Sequence, residues 1–312
     1  MKLVSAIITT HNRLELLKRA IESVRTQTYS NMECIVVDDA STDGTYEYCQ
    51  GQPVRYLYIP PEESKGGNYA RNRGIEMAQG EYVAFLEDAD CWLPEKTTKQ
   101  VRLLEEKRCG LVYCDLTVEN VSDKGIQYRD VYLGDYLCGD MSRRILMLIN
   151  CCTTSLMLMR KDILSQIGMF DEHVRYWQDY ELTVRAAQVT PFYLVTEPLC
   201  VYRRDARDNQ RLTNRLDGWE DNQNYLYQKH RKLYDSLCFT EQMWRKRIWL
   251  RDSSKRYKKA GLKGKYLHCR WRFLLLSLLF VPAKLSASFR RLLYSQDLID
   301  CMRVRELSFL FR

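Results

Sequence analysis

Glu81-Tyr-Val-Ala-Phe-Leu-Glu-Asp-Ala-Asp90 sets a short apolar run directly against three carboxylates, Glu87, Asp88 and Asp90. Residues 82–86 have the make-up of a buried strand. In an open α/β sheet, ligands bind beyond the carboxyl ends of the strands. Acids at such an end therefore read as a binding feature. A second apolar run, residues 33–37, also ends in acids, Asp38 and Asp39. Two more end in polar clusters, residues 9–13 and 160–161.

Working outward, residues 3–8 predict a first strand, with a helical pattern after it through Leu14, Leu17, Ala20, Ile21 and Val24. Residues 54–59 predict a third strand, and a helix is expected from about Tyr69 to Met77 after Gly66 and Gly67. Strand, loop and helix repeat through residue 114, which predicts an α/β fold, mostly parallel and covered by helices. Ser41 or Thr42 is expected to cap the helix after the second strand. Residues 153–159 read as one apolar strand, 192–195 as another, and 203–215 as a mobile polar stretch. Short antiparallel strands are expected within residues 116–139. The domain boundary is set at residue 210: an α/β domain over 1–210 and a helical, basic extension over 211–312.

Charge divides further along the chain. Lys and Arg number 30 against 35 Asp and Glu through Thr240, and 18 against 5 from Glu241 onward. The body is mildly acidic and the end of the chain strongly basic, which points to an anionic surface near that end. The apolar run of residues 273–283 is flanked by Arg270, Arg272, Lys284, Arg290 and Arg291. It is shorter than the ~20 residues of a bilayer span, so a helix lying on an anionic membrane is expected, at the inner face of the cell membrane. No zinc-finger, RRM or KH pattern accompanies the basic residues, so nucleic acid is not the expected partner. The N-terminus lacks a signal-peptide pattern. Twelve cysteines without a CxxC pair read as free thiols in a cytoplasmic protein.

Asp88 and Asp90 flank one small residue, so both can reach one ion. Mg²⁺ and Mn²⁺ take oxygen ligands, commonly one or two carboxylates with phosphate oxygens. Residues 9–13 contain no GxGxxG and no Walker P-loop occurs, so phosphates are not cradled by a glycine turn here. A glycosidase sets its two carboxylates across the scissile bond and needs no metal motif at a strand end.

The order of these pieces resembles the inverting glycosyltransferases of family 2, with the GT-A fold. The likeness runs through residues 3–10, 36–44, 70–74, 80–90, 155–160, 168–171 and 177–182. It implies transfer of a sugar from a nucleotide-diphosphate donor, with UDP-sugar favoured, to an acceptor hydroxyl on a glycan or lipid-linked carrier. It implies polysaccharide assembly of the capsule or O-antigen kind. By position, Thr9, His11 and Arg13 resemble the loop lining the nucleotide. Asp39 resembles the acid on the base, with Asp38 beside it, and Arg71 a nucleotide or phosphate contact. Asp88 resembles the sugar-nucleotide contact and Asp90 the metal ligand of a DxD motif, with Asp88 also within reach of the Mn²⁺ or Mg²⁺. Asp179 resembles the catalytic base. Two positions depart from the pattern. Gln178 stands where the family usually shows an acid, and no His follows Tyr202-Arg203. Either Arg203, Arg204 or Asp205 is then expected to take over the contact with metal and diphosphate, with Arg203 named as the donor-site residue, or that contact is absent. A nucleotidyltransferase on a similar sheet, or a non-catalytic sugar-binding protein, are the alternative readings.

Overall fold

A computed structural model describes residues 1–134, 137–148, 151–205, 207–208, 216–280 and 293–303. Its first half alternates strand and helix. The elements are β1 (Val4–Thr10), α1 (Leu14–Arg25), β2 (Met32–Asp39), α2 (Thr45–Gln50), β3 (Arg55–Ile59), α3 (Gly67–Met77) and β4 (Tyr82–Glu87). A short β5 (Cys91–Trp92) and α4 (Lys96–Lys107) follow. Then come the hairpin β6 (Leu111–Ser122) and β7 (Gly125–Val131), β8 (Leu158–Arg160), α5 (Lys161–Gln166), α6 (Gln178–Ala186) and β9 (Phe192–Asp205). The extension comprises α7 (Trp219–Lys229), α8 (Arg231–Asp235), α9 (Phe239–Lys259), α10 (Lys263–Leu278) and α11 (Gln296–Arg303).

The strands form one sheet in the order β3-β2-β1-β4-β8-β6-β9-β5, with β7 paired to β6. β3, β2, β1 and β4 are parallel, as expected. Beyond β4 the sheet is mixed: β8 runs antiparallel to β4 and β6, and β5 antiparallel to β9, while β6 and β9 are parallel. Ile7, Ile8, Val36, Val37, Val83 and Ala84 are buried, the continuous burial of strands covered on both faces. Gly74 lets α3 lie close: a β-carbon there would stand 2.5 Å from Ile7 Cγ2.

Register fixes the site. Thr10 pairs with Asp38, and Thr9 faces Val37 on one side and Glu87 on the other. The carboxyl ends of β1, β2 and β4 are therefore level.

Several sequence expectations change. Residues 153–159 are not one strand: Thr154–Leu156 is a 3-10 turn, and only Leu158–Arg160 pairs. The turn frees the Ser155 side chain to face Asp90. Neither Ser41 nor Thr42 caps α2, which starts after Gly44 at φ +87°. The Ser41 and Thr42 amides instead donate to Asp38 Oδ1 and Asn12 Oδ1. Residues 203–205 are not loop but the end of the fourteen-residue β9, paired with β6. The rest of the stretch expected to be mobile, residues 206 and 209–215, lies outside the described residues, as do Lys284, Arg290 and Arg291. The twelve cysteines stand as free thiols. No described helix is long and apolar enough to cross a membrane.

Candidate active site

The acids at the end of β4 face inward. Asp88 is 4% exposed and Asp90 2%. The Thr10 hydroxyl donates to Asp88 Oδ2 at 3.0 Å, and Arg13 Nη1 donates to Oδ1 at 3.2 Å. Arg13 Nη2 meets Asp208 at 2.8 Å. Burial pushes the Asp88 carboxyl up to about 6, against the pull of Arg13, and neighbouring Glu87 adds to the rise. At Asp90, Oδ1 accepts the Arg203 backbone N–H at 2.9 Å and Oδ2 accepts the Ser155 hydroxyl at 2.5 Å. Ser155 Oγ in turn accepts the Glu87 N–H at 3.1 Å. The Asp90 N–H bonds the Glu87 carbonyl at 3.0 Å, closing the turn around Ala89.

These donors fit a divalent cation of limited demand. Carboxylate oxygens are the hard ligands Mg²⁺ and Mn²⁺ take, and both acids are buried just past one strand end, so a cation bound there would offset the cost of their desolvation. Among the described residues no group of three or more His, Cys, Asp or Glu side chains is placed to hold a metal. Such a cation would need ligand oxygens to complete its shell.

Asp38 and Asp39 end β2 differently. Asp38 is fully buried; its Oδ2 accepts the Tyr56 hydroxyl at 2.6 Å and its Oδ1 the Ser41 amide at 2.9 Å. Asp39 keeps a buried Oδ1 without a hydrogen-bond partner. Thr9 is partly buried at the end of β1. His11 is exposed; its Nδ1 meets the Asp39 carbonyl and its Nε2 lies 3.2 Å from Asn12 Nδ2. Asn12 takes φ +52°, a conformation its short polar side chain tolerates.

Arg71 is 7% exposed, and its guanidinium is used within the protein. Nε and Nη2 donate to Glu87 Oε1 at 3.1 and 2.6 Å, and Nη1 donates to Asn68 at 3.2 Å and Gln178 at 3.0 Å. Burial would raise the Glu87 carboxyl, but Arg71, the Thr154 hydroxyl and Arg13 outweigh it and hold it below the usual range. Arg71 therefore ties the end of β4 to the first residue of α6. That residue is Gln178, where the resemblance sets the expectation of an acid.

Asp179 sits in the first turn of α6, partly buried, with Oδ1 accepting the Tyr180 N–H at 2.9 Å. The preceding Trp177 takes φ +60°, rare for a bulky residue, and redirects the chain into the helix. Its ring packs edge-on against Tyr180 and Trp219. On the interior side lies Cys152. Burial raises its thiol pKa, with smaller contributions from Cys151 and Asp179.

The Arg203 side chain reaches Glu119, and Asp205 at 3.4 Å, while its backbone serves Asp90. Glu119 also accepts from Arg19 at 2.9 Å, so one buried carboxylate joins α1, β6 and β9. The structure thus brings Thr10, Arg13, Asp88, Asp90 and the Arg203 amide together. It links Asp179 to them through Gln178, Arg71 and Glu87. Sequence reasoning missed Thr10, Ser155 and Asp208, and gave Glu87 no role of its own. A single hydroxyl has no pattern to find, but Glu87, adjoining Asp88 at a strand end, was visible.

The family model "Glycosyl transferase family 2" matches residues 5–168, more than half of the chain and all of the strand ends above except that of β9. The UDP-Glc:alpha-D-GlcNAc-diphosphoundecaprenol beta-1,3-glucosyltransferase WfaP of Escherichia coli is 34% identical over 120 residues, 38% of this chain and 48% of its own length. Among solved structures, S. aureus TarS 1-349 in complex with UDP-GlcNAc superposes with a TM-score of 0.61 at 17% identity, over 99% of this chain and 92% of its own. Mannosyltransferase PcManGT from Pyrobaculum calidifontis, in complex with GDP-Man and Mn²⁺, gives 0.52 at 19% identity, over 93% and 78%. At these identities the two structures speak to the fold, and it is the sequence match that assigns the chain. The protein is a glycosyltransferase with the GT-A fold and belongs to glycosyl transferase family 2.

Proposed function

We propose that this enzyme moves a sugar from a nucleoside-diphosphate donor to an acceptor hydroxyl in one displacement, with inversion at the anomeric carbon. One observation carries the reading. A buried pair of acids ends β4, level with the unsatisfied carboxylate oxygen of Asp39 at the end of β2. Asp39 accepts from the base or ribose of the donor. Thr9, His11 and Arg13 line the same edge, and Asp38 braces the turn beneath it.

Asp88 and Asp90 are the residues that would hold Mn²⁺ or Mg²⁺. When bound, the cation neutralises the charge that grows on the diphosphate as the glycosidic bond breaks. Thr10 and Arg13 fix the two oxygens of Asp88, and Ser155 and the Arg203 amide fix those of Asp90. Asp179 accepts the proton of the attacking hydroxyl. Arg71 and Gln178 position the start of α6 that carries it. The acceptor is a lipid-linked or growing cell-surface glycan presented at the cytoplasmic face. That class, and UDP over GDP or dTDP, are suggested by the activity in WfaP's name.

The test is calorimetric titration with UDP, GDP and dTDP, with and without Mn²⁺, on the protein and on Asp90→Ala. One diphosphate should bind in a metal-dependent way, and the variant should lose it. Asp179→Asn should keep that binding and lose transfer by roughly 10²–10⁴-fold. Absence of binding to all three would refute the donor site. Binding without transfer, unaffected by Asp179→Asn, would favour a non-catalytic sugar-nucleotide-binding protein.

A further inference from the structure

Helix α10 carries apolar residues on two opposite sides. One side holds Tyr266, Cys269, Phe273 and Leu276, spaced three and four apart, and faces the core of the extension with Trp219, Leu250 and Tyr257. The other side holds Leu267, Trp271, Leu274, Leu275 and Leu278, at the same spacing, and is exposed. Trp271 is 64% exposed and Leu278 65%. A soluble helix presents charged and polar residues opposite its core face; this one presents leucines and a tryptophan.

Charge borders the exposed stripe. At 3.6 residues per turn, Lys263 and Arg270 fall along one margin and Arg272 along the other. No acid occurs between Lys263 and Leu278. The last turn of α9, just ahead in the chain, adds exposed Lys258. An apolar strip with a tryptophan, bordered on its own helix by cations and no acid, with Glu220 of α7 paired to Lys265, fits a bilayer surface that supplies hydrocarbon beneath and anionic headgroups alongside. At sixteen residues and 1.5 Å per residue, α10 is about 24 Å long, short of the roughly 30 Å hydrocarbon core. It suits lying in the interface rather than crossing it.

We infer that α10 is a membrane-docking helix, which lays Leu267, Trp271, Leu274, Leu275 and Leu278 into an anionic lipid surface while its opposite side holds the enzyme. The inference rests on this face alone and stands apart from the donor-site reading, which can fail or succeed without it.

Vesicle flotation of the full chain tests it. Vesicles of phosphatidylcholine with about one third phosphatidylglycerol, at about 0.15 M salt, should carry the protein up, and pure phosphatidylcholine should not. Arg270→Gln with Arg272→Gln should weaken partitioning roughly tenfold or more. Leu275→Ser with Leu278→Ser should abolish it, with the melting midpoint unchanged because both side chains already face solvent. Lipids brominated on the acyl chain should quench tryptophan fluorescence, and Trp271→Phe should remove most of that quenching. Three results would overturn the proposal: no flotation with anionic vesicles, flotation indifferent to the leucine changes, or a lipid-free dimer that the leucine changes dissolve. The last would assign the face to a second copy of the chain.

Discussion

Asp38 and Asp39 are adjacent acids at one strand end, and side chains alternate across a strand. One must turn toward the α2 side of the sheet and the other away. Asp38 satisfies Tyr56 and Ser41, and burial, then the bond to Asp38, raises the Tyr56 phenol far above its ordinary value. Asp39 leaves an oxygen unsatisfied. Their substitutions should therefore separate. Asp38→Ala orphans a hydroxyl and an amide, and should cost about 1–3 kcal/mol for each group left buried. A lowered urea midpoint with an unchanged slope is the expected result. Asp39→Ala removes an unsatisfied buried atom, so stability should hold or rise slightly. Nucleoside-diphosphate affinity should fall roughly tenfold, the scale of one hydrogen bond to a charged group. Equal loss of stability in both variants would refute the division of labour. Sequence could flag both acids but not tell them apart, because both faces of β2 are covered and burial gives no alternation to read.

At the scale of elements, the strands of the parallel half were legible because each is a continuous apolar run closed by polar residues. β5, β8 and the full length of β9 were not. β5 and β8 are two and three residues long, held by register rather than by composition. β9 ends in Arg203, Arg204 and Asp205, which read as loop until Glu119 pairs with Arg203 across the sheet. The same limit hid the anchoring of α6. Glu181, two residues after Asp179 and 1% exposed, takes a bidentate bond from Arg185 and further contacts from Lys229 at 2.7 Å and His230 at 3.2 Å. Burial alone would raise this carboxyl. His230, Arg185 and Lys229 overcome that and bring it from 4.5 down to about 2. A depressed carboxylate contributes stability above its unfolded pKa and loses it as pH falls through the folded one. Stability should therefore decline between about pH 4.5 and 2, by on the order of 3 kcal/mol from this group. Glu181→Gln should flatten that acid limb and lower stability at neutral pH, where Arg185 loses its carboxylate partner and Lys229 keeps only Asp171. Acid unfolding curves that superpose for the two proteins would show that the network does not matter. Because α6 carries Asp179, the variant should also slow transfer more than it weakens donor binding.

The whole molecule shows a division in charge that is not a division in packing. The acidic body and the basic extension part company near residue 240, and composition reads as a core domain with an appendage. Yet Asn222 of α7 accepts the amides of Arg175 and Tyr176 at 2.7 and 3.0 Å, just ahead of the strained Trp177. Lys229 bonds Asp171 as well as Glu181. Glu241, fully buried, joins Arg143 to Ser295. The Tyr234 hydroxyl meets that of Tyr180 at 3.3 Å. These contacts are polar or aromatic and follow no periodic pattern, so nothing in the sequence announced them. They should make the two parts one cooperative unit. Urea unfolding followed by tryptophan fluorescence and by far-ultraviolet dichroism should then give coincident single transitions. Asn222→Ala should move both together, since it leaves the buried Tyr176 amide and the part-buried Arg175 amide without an acceptor, at about 1–3 kcal/mol for the buried one. A chain ending at residue 215 should fail to unfold cooperatively, since Tyr180 and Glu181 would face water on the side that α7 and α8 now cover. Two separated transitions in the full chain, or a cooperative shortened chain that still binds donor, would make the extension an independent module. If the transitions coincide, the surface of α10 is rigidly joined to the helix bearing Asp179. A membrane that holds one then fixes the height at which the other meets a lipid-linked acceptor.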